Sequence, residues 1–348
     1  MKLAITGLPQ SGKSTIFYAL SGARGEDKVR KASHAEHTIG TVRVTDERVG
    51  ILERIYKPKK TTYAQVEYLL PTNVPTGTQT KSENLFWNQV RLGDALIHVI
   101  RNFQTPGSSP PTPESDYRRL EEEMILDDLM VSEKRLERIG LDKKRGKKPD
   151  DKEEALLKSC FRHLEANRPL RLDPDLSEAP DLRGFAFLSA KPQLIIINND
   201  DEDESLPPWK SRPETSEMLV VRGRLEMEIT SMTSDEAEEF LVAYNIEKSA
   251  LDRVIRSSYH ALKYISFFTV INEEVRAWTI KEGMSALDAA GAVHSDMKKG
   301  FIRAEVLSFE NLEKYGSFQE AKKAGEVGLE GKEYAVQDGD IIQFRFNI

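Results

Sequence analysis

The pattern of apolar and polar positions near the start of the chain predicts a strand, a glycine turn and a helix. Residues 2–6 form a short apolar run that ends in Gly7, and residues 14–21 have the composition of a helix. A strand that leads through a glycine turn into a helix is typical of the first part of an α/β domain.

Further apolar runs along the chain predict the rest of a sheet. They are short and rich in β-branched residues, which fits strands buried on both faces of a mostly parallel sheet. The predicted strands are residues 64–70, 95–100, 185–188, 194–197 and 219–221. The fold class indicated by this part of the chain is therefore α/β.

Two longer segments with helical periodicity interrupt the predicted sheet. Residues 114–139 are dense in Glu, Arg, Leu and Met, and an apolar stripe at helical spacing begins at Tyr117. Gly140 is expected to end this helix, and a basic turn connects it to a second helix over residues 152–167. Two helices joined by a short turn predict an antiparallel hairpin.

The pattern changes again towards the carboxy-terminal end. Two helices are predicted at residues 234–244 and 248–262, and from residue 264 short strands alternate with one helix. The strands are predicted at residues 266–271, 275–280, 301–306 and 341–346, and the helix at residues 285–293. This mixture indicates a small α+β domain.

The composition narrows the class of protein. Of the 348 residues, 39% are hydrophobic and 31% are charged, which fits a folded globular protein and excludes a disordered chain. The 50 Lys and Arg residues against 57 Asp and Glu residues give a net charge of -7, so contact with nucleic acid requires a local basic patch. The single cysteine, Cys160, excludes an internal disulfide and is predicted to be a small core residue. No apolar run reaches the ~18 residues that a membrane span needs, and a cytoplasmic location is expected.

The strongest chemical signal is the motif G-x-x-x-x-G-K-S at residues 7–14, between the first predicted strand and helix. Backbone N–H groups of such a loop surround the phosphates of a nucleotide, and the dipole of the following helix adds to the attraction. Lys13 is predicted to be the catalytic cation on the β and γ oxygens, and the Ser14 hydroxyl is predicted to bind Mg²⁺. The residues predicted to contact the nucleotide here are Gly7, Pro9, Gln10, Ser11, Gly12, Lys13, Ser14 and Thr15.

A second polar segment follows the predicted strand 194–197, where the chain reads Asn198-Asn199-Asp200-Asp201. The position suits a loop that reads the base of a nucleotide. Asn198 is expected to brace the loop, and the carboxylate of Asp201 can accept hydrogen bonds from N1 and N2 of guanine. Taken alone, such a segment is more often an acidic surface turn. Together with the phosphate loop, it favours a base site that includes Asn198, Asn199 and Asp201.

Four segments near the carboxy-terminal end carry a resemblance to a known family. They are Phe267-Phe268-Thr269, Val275-Arg276-Ala277-Trp278-Thr279-Ile280-Lys281, His294-Ser295-Asp296 and Gly300-Phe301-Ile302-Arg303-Ala304-Glu305-Val306. With the phosphate loop and the predicted hairpin, they make nearly the whole chain similar to the YchF family of Obg-like ATPases.

The resemblance implies three parts. These are a P-loop G domain over residues 1–107 and 180–262, an inserted α-helical coiled-coil hairpin over 108–179, and an α+β TGS domain of ubiquitin-like form over 263–348. The resemblance also implies a slow nucleotide hydrolase that uses Mg²⁺ with ATP or GTP and associates with ribosomes in the control of translation. Thr38 matches the switch threonine that closes over Mg²⁺ in the triphosphate state.

Two departures from the family pattern concern the metal and the base. The family's D-I-A-G motif aligns with Leu70-Pro71-Thr72-Asn73, so the aspartate that supports Mg²⁺ through water and the glycine that meets the γ-phosphate are both missing. A weakened Mg²⁺ site and slow hydrolysis are expected, and a nucleotide-binding adaptor that no longer hydrolyses is the open alternative. Asp201 stands where the family has Glu, so the choice between ATP and GTP stays open.

Five positive charges lie at the predicted end of the hairpin: Lys143, Lys144, Arg145, Lys147 and Lys148. Contact with the phosphates of ribosomal RNA and a simple solvated turn are equally compatible with such a run. The resemblance adds the TGS domain as a second ribosome contact, although the carboxy-terminal segment carries more acidic than basic residues.

Overall fold

The computed structural model describes residues 2–22, 29–31, 37–72, 79–105, 107, 109–148, 150–213, 215–243, 246, 249–271 and 273–347. The chain divides into two compact units. The first consists of Met1–Val42 and Glu67–Val254, and the second of Arg43–Val66 and Ile255–Ile348. Within the described residues, no helix is both long enough and apolar enough to cross a membrane.

The strands and helices are labelled in chain order. The strands are β1 (Lys2–Thr6), β2 (Val29–Lys31), β3 (His37–Arg43), β4 (Lys60–Thr62), β5 (Gln65–Pro71), β6 (Ala95–Asn102), β7 (Gln193–Asn199), β8 (Glu217–Val221), β9 (Tyr264–Ile271), β10 (Glu274–Lys281), β11 (Phe301–Leu307), β12 (Gly328–Glu330) and β13 (Ile341–Phe346). The helices are α1 (Lys13–Gly22), α2 (Glu47–Tyr56), α3 (Gln79–Val90), α4 (Pro113–Lys144), α5 (Asp151–Glu165), α6 (Pro174–Ser177), α7 (Gly223–Thr230), α8 (Ser234–Ala243), α9 (Ala250–Ala261), α10 (Ala286–Val293), α11 (Ser295–Lys299), α12 (Phe309–Tyr315) and α13 (Phe318–Lys323).

A seven-stranded sheet forms the centre of the first unit, with the strand order β2-β3-β5-β1-β6-β7-β8. β1 pairs in parallel with β5 and β6, and β7 pairs in parallel with β6 and β8. The central strands are almost entirely buried, which is why their sequences are apolar without alternation. The predicted α/β fold is confirmed. The carboxyl ends of the parallel strands meet at one edge, where β1 leads into the phosphate loop and β7 ends at residues 198–199.

The strand predicted at residues 185–188 is wrong. Pro180–Phe185 forms a 3-10 helix, and the residues after it form the connection to β7. Phe187 and Leu188 are buried there against apolar side chains of the helical hairpin. The N–H of Leu188 donates to the carboxylate of Asp128 in α4 at 2.9 Å and not to a neighbouring strand. The apolar run therefore reflects burial against helices.

The predicted hairpin consists of α4 and α5, and its first helix is longer than predicted. α4 continues through Gly140 to Lys144, because this glycine faces open space and a single glycine costs a helix only about 1 kcal/mol. The carboxylate of Asp150 caps α5 by accepting hydrogen bonds from two N–H groups of its first turn. Cys160 is fully buried between the helices, and burial raises the pKa of its thiol to about 12. It is the core residue that the sequence predicts.

A buried carboxylate fixes the base of the hairpin. Asp128 in α4 is fully buried and accepts hydrogen bonds from the N–H groups of Leu188 and Ser189, at 2.9 and 2.7 Å. The guanidinium of Arg91, which follows α3, donates to Asp128 at 3.1 Å and also to Asp127. Displacement of α4 would leave this buried charge without its partners, so the base of the hairpin is held firmly.

The second unit contains a six-stranded mixed sheet with the order β12-β11-β13-β9-β10-β4. β9 and β10 are antiparallel neighbours, and β13 is antiparallel to β11 but parallel to β9. α10 covers one face of the sheet with Ala286, Ala289 and Ala290, whose small side chains belong to the same core as Phe267 and Phe344. The predicted α+β class of the carboxy-terminal part is confirmed.

Residues 43–66 also belong to the second unit, a placement that the sequence analysis does not predict. β4 pairs in parallel with β10, with Lys60 opposite Glu274. In α2, the guanidinium of Arg48 donates to Asp338 at 2.8 Å. The second unit is therefore built from two distant stretches of the chain.

Candidate functional site

The phosphate loop connects β1 to α1 and requires glycine at two positions. Gly7 has φ +154° and Gly12 has φ +93°. A Cβ atom on Gly7 would lie 2.4 Å from the carbonyl oxygen of Val99, and one on Gly12 would lie 2.1 Å from Nδ2 of Asn198. Both distances are far below van der Waals contact, so the two glycines of the motif are dictated by their neighbours. α1 begins at Lys13, and its positive dipole end points into the loop.

Lys13 lies against the loop that it follows. Its ammonium donates hydrogen bonds to the carbonyl oxygens of Gly7 at 2.9 Å and Leu8 at 2.8 Å, and the residue is only 8% exposed. Burial lowers the pKa of Lys13 to about 8. The cation is thus held where it can exchange carbonyl oxygens for the oxygens of a phosphate group.

The remaining loop residues divide into an outer and an inner set. Pro9, Gln10 and Ser14 are exposed, and Thr15 is half-buried. Ser11 is only 2% exposed, and its hydroxyl has no hydrogen-bond partner within the part of the chain that the structure describes. Of the predicted loop residues, Ser14 offers an exposed hydroxyl at the start of α1, which is the position predicted for the Mg²⁺ ligand.

Asn198 connects the phosphate loop to another element of the same edge. It is 4% exposed, its Nδ2 donates to the carbonyl oxygen of Ser11 at 3.0 Å, and its Oδ1 accepts from the N–H of Gly223 at 3.0 Å. Gly223 is the first residue of α7, directly after β8. Asn198 therefore connects the phosphate loop to the start of α7, whereas the sequence predicts that it braces the base-reading loop.

The side chain of Asn199 is almost fully buried and makes hydrogen bonds within the protein. It is 3% exposed, and its Nδ2 donates to the carbonyl oxygens of Asp203 at 2.9 Å and Ser205 at 2.8 Å. Its Oδ1 accepts from Asn102 in the neighbouring strand β6 at 2.9 Å. These three hydrogen bonds close the loop after β7, so Asn199 shapes the predicted base site from behind.

Asp201 and two arginines lie together beside this loop. The Asp201 side chain is 30% exposed, and its carboxylate lies 3.5 Å from Nε of Arg224. Arg222 donates to the backbone oxygen of Asp201 at 3.3 Å and pairs with Glu204 at 2.8 Å. Neither arginine is among the residues predicted from the sequence. Their position directly after the last predicted strand of the parallel sheet was the signal, because that strand ends at the same edge.

The two residues predicted to bind the metal, Ser14 and Thr38, lie in different elements, α1 and β3. Thr38 is half-buried in β3, opposite Lys31 of β2. Leu70, next to last in β5, is 9% exposed and apolar, and Asn73 lies outside the described residues. Across the described ranges, no group of three or more His, Cys, Asp or Glu side chains could hold a metal ion. The loop residues fit the phosphates of a nucleotide, and the hydroxyls of Ser14 and Thr38 are of the type that can bind Mg²⁺ beside those phosphates.

A cavity of about 510 Å³ lies away from the phosphate loop, beside the first turns of the hairpin. Its polar wall is already paired: the guanidinium of Arg171 donates to both carboxylate oxygens of Glu121, and Gln193 donates to the hydroxyl of Tyr117 at 2.9 Å. A ligand would have to replace these internal hydrogen bonds. The phosphate-loop edge is therefore the better candidate for a functional site.

Comparison with known proteins assigns the chain to a family. The family model YchF-GTPase_C, described as a protein of unknown function (DUF933), matches residues 264–347. The protein named "Ribosome-binding ATPase YchF" of Bacillus subtilis (strain 168) is 35% identical over 361 residues, which cover 99% of this chain and 98% of the relative. Its namesake in Escherichia coli O157:H7 is 36% identical, with 100% of this chain and 99% of the relative covered. The chain belongs to the YchF family.

A solved member of the YchF family has the same fold. The structure described as "Structure of the Schizosaccharomyces pombe YchF GTPase" matches with a TM-score of 0.84 and 27% sequence identity, over 99% of this chain and 97% of that chain. The predicted combination of a P-loop G domain with a TGS domain is confirmed. The names of these YchF relatives include both ATPase and GTPase.

The close contact between Gly12 and Asn198 generates a prediction. We expect Gly12→Ala to lower the free energy of unfolding by roughly 1–3 kcal/mol, because the Cβ atom meets Asn198 and the backbone has a positive φ. The matched control is Gly22→Ala at the end of α1, where a Cβ atom meets open space. Denaturant unfolding of both variants measures the difference. Equal stability of the two variants would show that the loop is not braced as described.

Proposed function

We propose that this chain is a P-loop NTPase that binds a nucleoside triphosphate at the phosphate loop and uses it to regulate association with the ribosome. The observation that carries the proposal is the loop itself. Gly7 and Gly12 have close contacts that admit only glycine, and the ammonium of Lys13 lies against the loop. The name of the bacterial relatives, ribosome-binding ATPase, supports the proposed association with the ribosome.

Each predicted residue has a proposed role that follows from its position. Lys13 exchanges its two carbonyl partners for phosphate oxygens, and N–H groups of the loop and of the first turn of α1 surround the same phosphates. Asn198 keeps the loop in shape, and Asp201 faces the base. Asn199 is proposed to act on the base indirectly, by holding the loop after β7 in shape. The other residues proposed to contact the nucleotide are Gly7, Pro9, Gln10, Ser11, Gly12, Ser14 and Thr15. Phosphoryl transfer needs mainly positioning and charge stabilisation, which this set supplies.

Mg²⁺ is proposed to be held weakly, by the hydroxyl of Ser14 and by Thr38. When bound, the ion neutralises charge on the phosphates. Leu70 occupies the end of β5, and its side chain can neither accept a hydrogen bond from metal-bound water nor offset the charge of the ion. Hydrolysis by the protein alone is therefore expected to be slow.

An adaptor that binds nucleotide without hydrolysing it is the second candidate function, and the apolar Leu70 is the observation in its favour. The names of the YchF relatives favour hydrolysis. A long single-turnover incubation with Mg-ATP and with Mg-GTP separates the two functions and identifies the nucleotide. Phosphate release above the protein-free blank excludes the adaptor, and no release from either nucleotide excludes the hydrolase.

The proposed domain organisation follows the family resemblance. The G domain comprises residues 1–107 and 180–262, the hairpin 108–179 and the TGS domain 263–348. The match of the family model to residues 264–347 supports the last boundary. Residues 43–66 add α2 and β4 to the compact unit that contains the TGS domain.

The hairpin tip and the TGS domain are the proposed ribosome contacts. At the tip, Lys143 is paired with Glu154 at 2.6 Å and Lys147 with Asp142 at 3.1 Å. The other three cations, Lys144, Arg145 and Lys148, are exposed and form no ion pair with a described residue. Cations whose charge is not already neutralised attract RNA phosphates most strongly, so these three are the proposed contact.

Replacement of Lys13 tests nucleotide binding. Because two charge-assisted hydrogen bonds are lost, we expect Lys13→Ala to weaken ATP or GTP binding at least about 100-fold without unfolding the protein. Titrations with ATP and GTP, in the presence of Mg²⁺ and again in the presence of EDTA, measure the affinity. In the wild type, EDTA should weaken nucleotide binding only modestly. Lys2→Ala, which removes a lysine of β1 whose side chain is 42% exposed, is the control. Unchanged affinity in folded Lys13→Ala would contradict the proposal.

The lowered pKa of Lys13 predicts a pH dependence of binding. A phosphate group requires the ammonium form, which the free protein loses as the pH rises through about 8. Above that pH binding must take up a proton, so the affinity should fall by up to about tenfold per pH unit between pH 8 and 10. The nucleotide phosphates are already ionised in this range. Calorimetric titrations in two buffers with different protonation enthalpies measure the number of protons taken up on binding. An affinity that does not change with pH, without proton uptake, would contradict the role of Lys13 as the phosphate ligand.

Charge removal at the tip tests the ribosome contact. The triple variant Lys144→Gln, Arg145→Gln and Lys148→Gln should weaken co-sedimentation with ribosomes and reduce the salt slope of log affinity by about 2 to 3. The double variant Lys143→Gln and Lys147→Gln, which removes cations that are already paired, should have a smaller effect. Equal salt slopes in the wild type and the triple variant would show that these cations form a solvated turn and do not contact RNA phosphates.

A further inference from the structure

The carboxyl end of α3 contacts several parts of the first unit at once. Gln89, near the end of α3, is only 4% exposed, and its Oε1 accepts a hydrogen bond from the N–H of Thr72 at 3.0 Å. Thr72 is the first residue after β5. Because β5 and β1 are parallel neighbours, Thr72 lies at the same edge of the sheet as the phosphate loop. Gln89 therefore connects α3 to the edge of the sheet that carries the phosphate loop.

Arg91, which directly follows α3, ties the same end of the helix to the hairpin. Its guanidinium donates to Asp127 and Asp128 of α4 and to the carbonyl oxygen of Ala186 at 2.8 Å. The side chains of Arg91 and Asp127 are each 13% exposed, and that of Asp128 is fully buried. Lys191 donates in addition to the backbone oxygen of Arg91 at 3.2 Å. A shift of this end of α3 must therefore move α4 or break a buried ion pair.

An apolar contact provides a second connection between the same parts. Leu8 of the phosphate loop and Phe86 of α3 pack against a cluster that contains Trp87 of α3 and Leu120 and Met124 of α4. The backbone oxygen of Leu8 is one of the two partners of Lys13. A change in the hydrogen bonds of Lys13 therefore affects Leu8, which packs against side chains of both α3 and α4.

We propose that α3 transmits the nucleotide state of the phosphate loop to the helical hairpin, with Gln89 and Arg91 as the positioning residues at the carboxyl end of the helix. The inference rests on the proposed nucleotide binding. Because α4 runs for a further 16 residues from Asp128 to Lys144, at 1.5 Å per residue it extends about 24 Å beyond its anchor. A rotation of about 5° at the anchor moves the tip by about 2 Å.

Hydrogen exchange of the full chain, with and without saturating ATP or GTP, tests the inference. Nucleotide binding is first established by titration. In the wild type, exchange of amides in residues 113–165 and 186–189 should change by about fivefold or more on binding, the range typical of coupled sites. Residues 264–281 of the second unit serve as an internal reference, because a change there would indicate global stabilisation.

The variant Gln89→Leu removes both side-chain hydrogen bonds to Thr72, the one that Oε1 accepts at 3.0 Å and the one that Nε2 donates at 3.5 Å. Thr72 itself is an exposed residue, so water can solvate it in the variant. We expect it to bind nucleotide within about threefold of the wild type, with a hairpin response at least about fivefold smaller. Arg118→Gln, which removes an exposed arginine of α4 paired with Glu114, is the control and should keep the full response. If Gln89→Leu does not fold, Arg91→Lys replaces it, because lysine keeps the charge but cannot reach both carboxylates and a carbonyl together.

The outcomes separate this inference from the proposed function. A wild-type protein that binds no nucleotide overturns both. Binding without any change in hairpin exchange overturns the transmission alone and leaves the NTPase proposal intact. A full hairpin response in folded Gln89→Leu, or in Arg91→Lys where that variant is used, overturns the role of the end of α3.

Discussion

The candidate site depends on one buried amide. Asn198 is the donor to Ser11 and the acceptor from Gly223, so a single side chain at the end of β7 holds both the phosphate loop and the start of α7. Ser11 is 187 positions away in sequence. The amide can lie there only because β7 is buried along its whole length and because Gly12 has no side chain. The loop's shape is thus a property of the sheet as well as of the motif, since the strand that positions the brace is itself fixed by its neighbours.

The parts of the fold that the sequence predicts are those with a local signal. The glycines of the phosphate loop, the apolar runs of the central strands and the helical spacing in the hairpin are each read within a few residues. The placement of β4 has no such signal, since Lys60 finds its partner only at Glu274. The same limit explains the error at residues 185–188. An apolar run shows that a segment is buried, but the hydrogen bond from Leu188 to Asp128 decides that its partner is a helix.

The candidate site shows the same division between local and distant information. A polar side chain at the end of β7 is predictable, because it follows a recognisable strand. The partners of Asn198 and Asn199 are not predictable in this way, since they lie in the phosphate loop, at the start of α7 and in β6. Arg222 and Arg224 reach the base loop from the end of β8 and were missed for the same reason. Leu70 is a departure from the family pattern that can be read from the sequence alone, and the structure adds only that its side chain is almost fully buried near the end of β5.

The pairing of β4 with β10 has a consequence for synthesis of the chain. Residues 43–66 leave the ribosome more than 200 residues before their partner strand, since Thr62 lies opposite Arg276. At about 5–20 residues per second, this delay lasts roughly 10–40 s. During that time Val49 and Leu52, which are fully buried in the finished protein, lack their final environment. Completion of the second unit must wait for the last quarter of the chain, so this early segment spends that time without its partner strand.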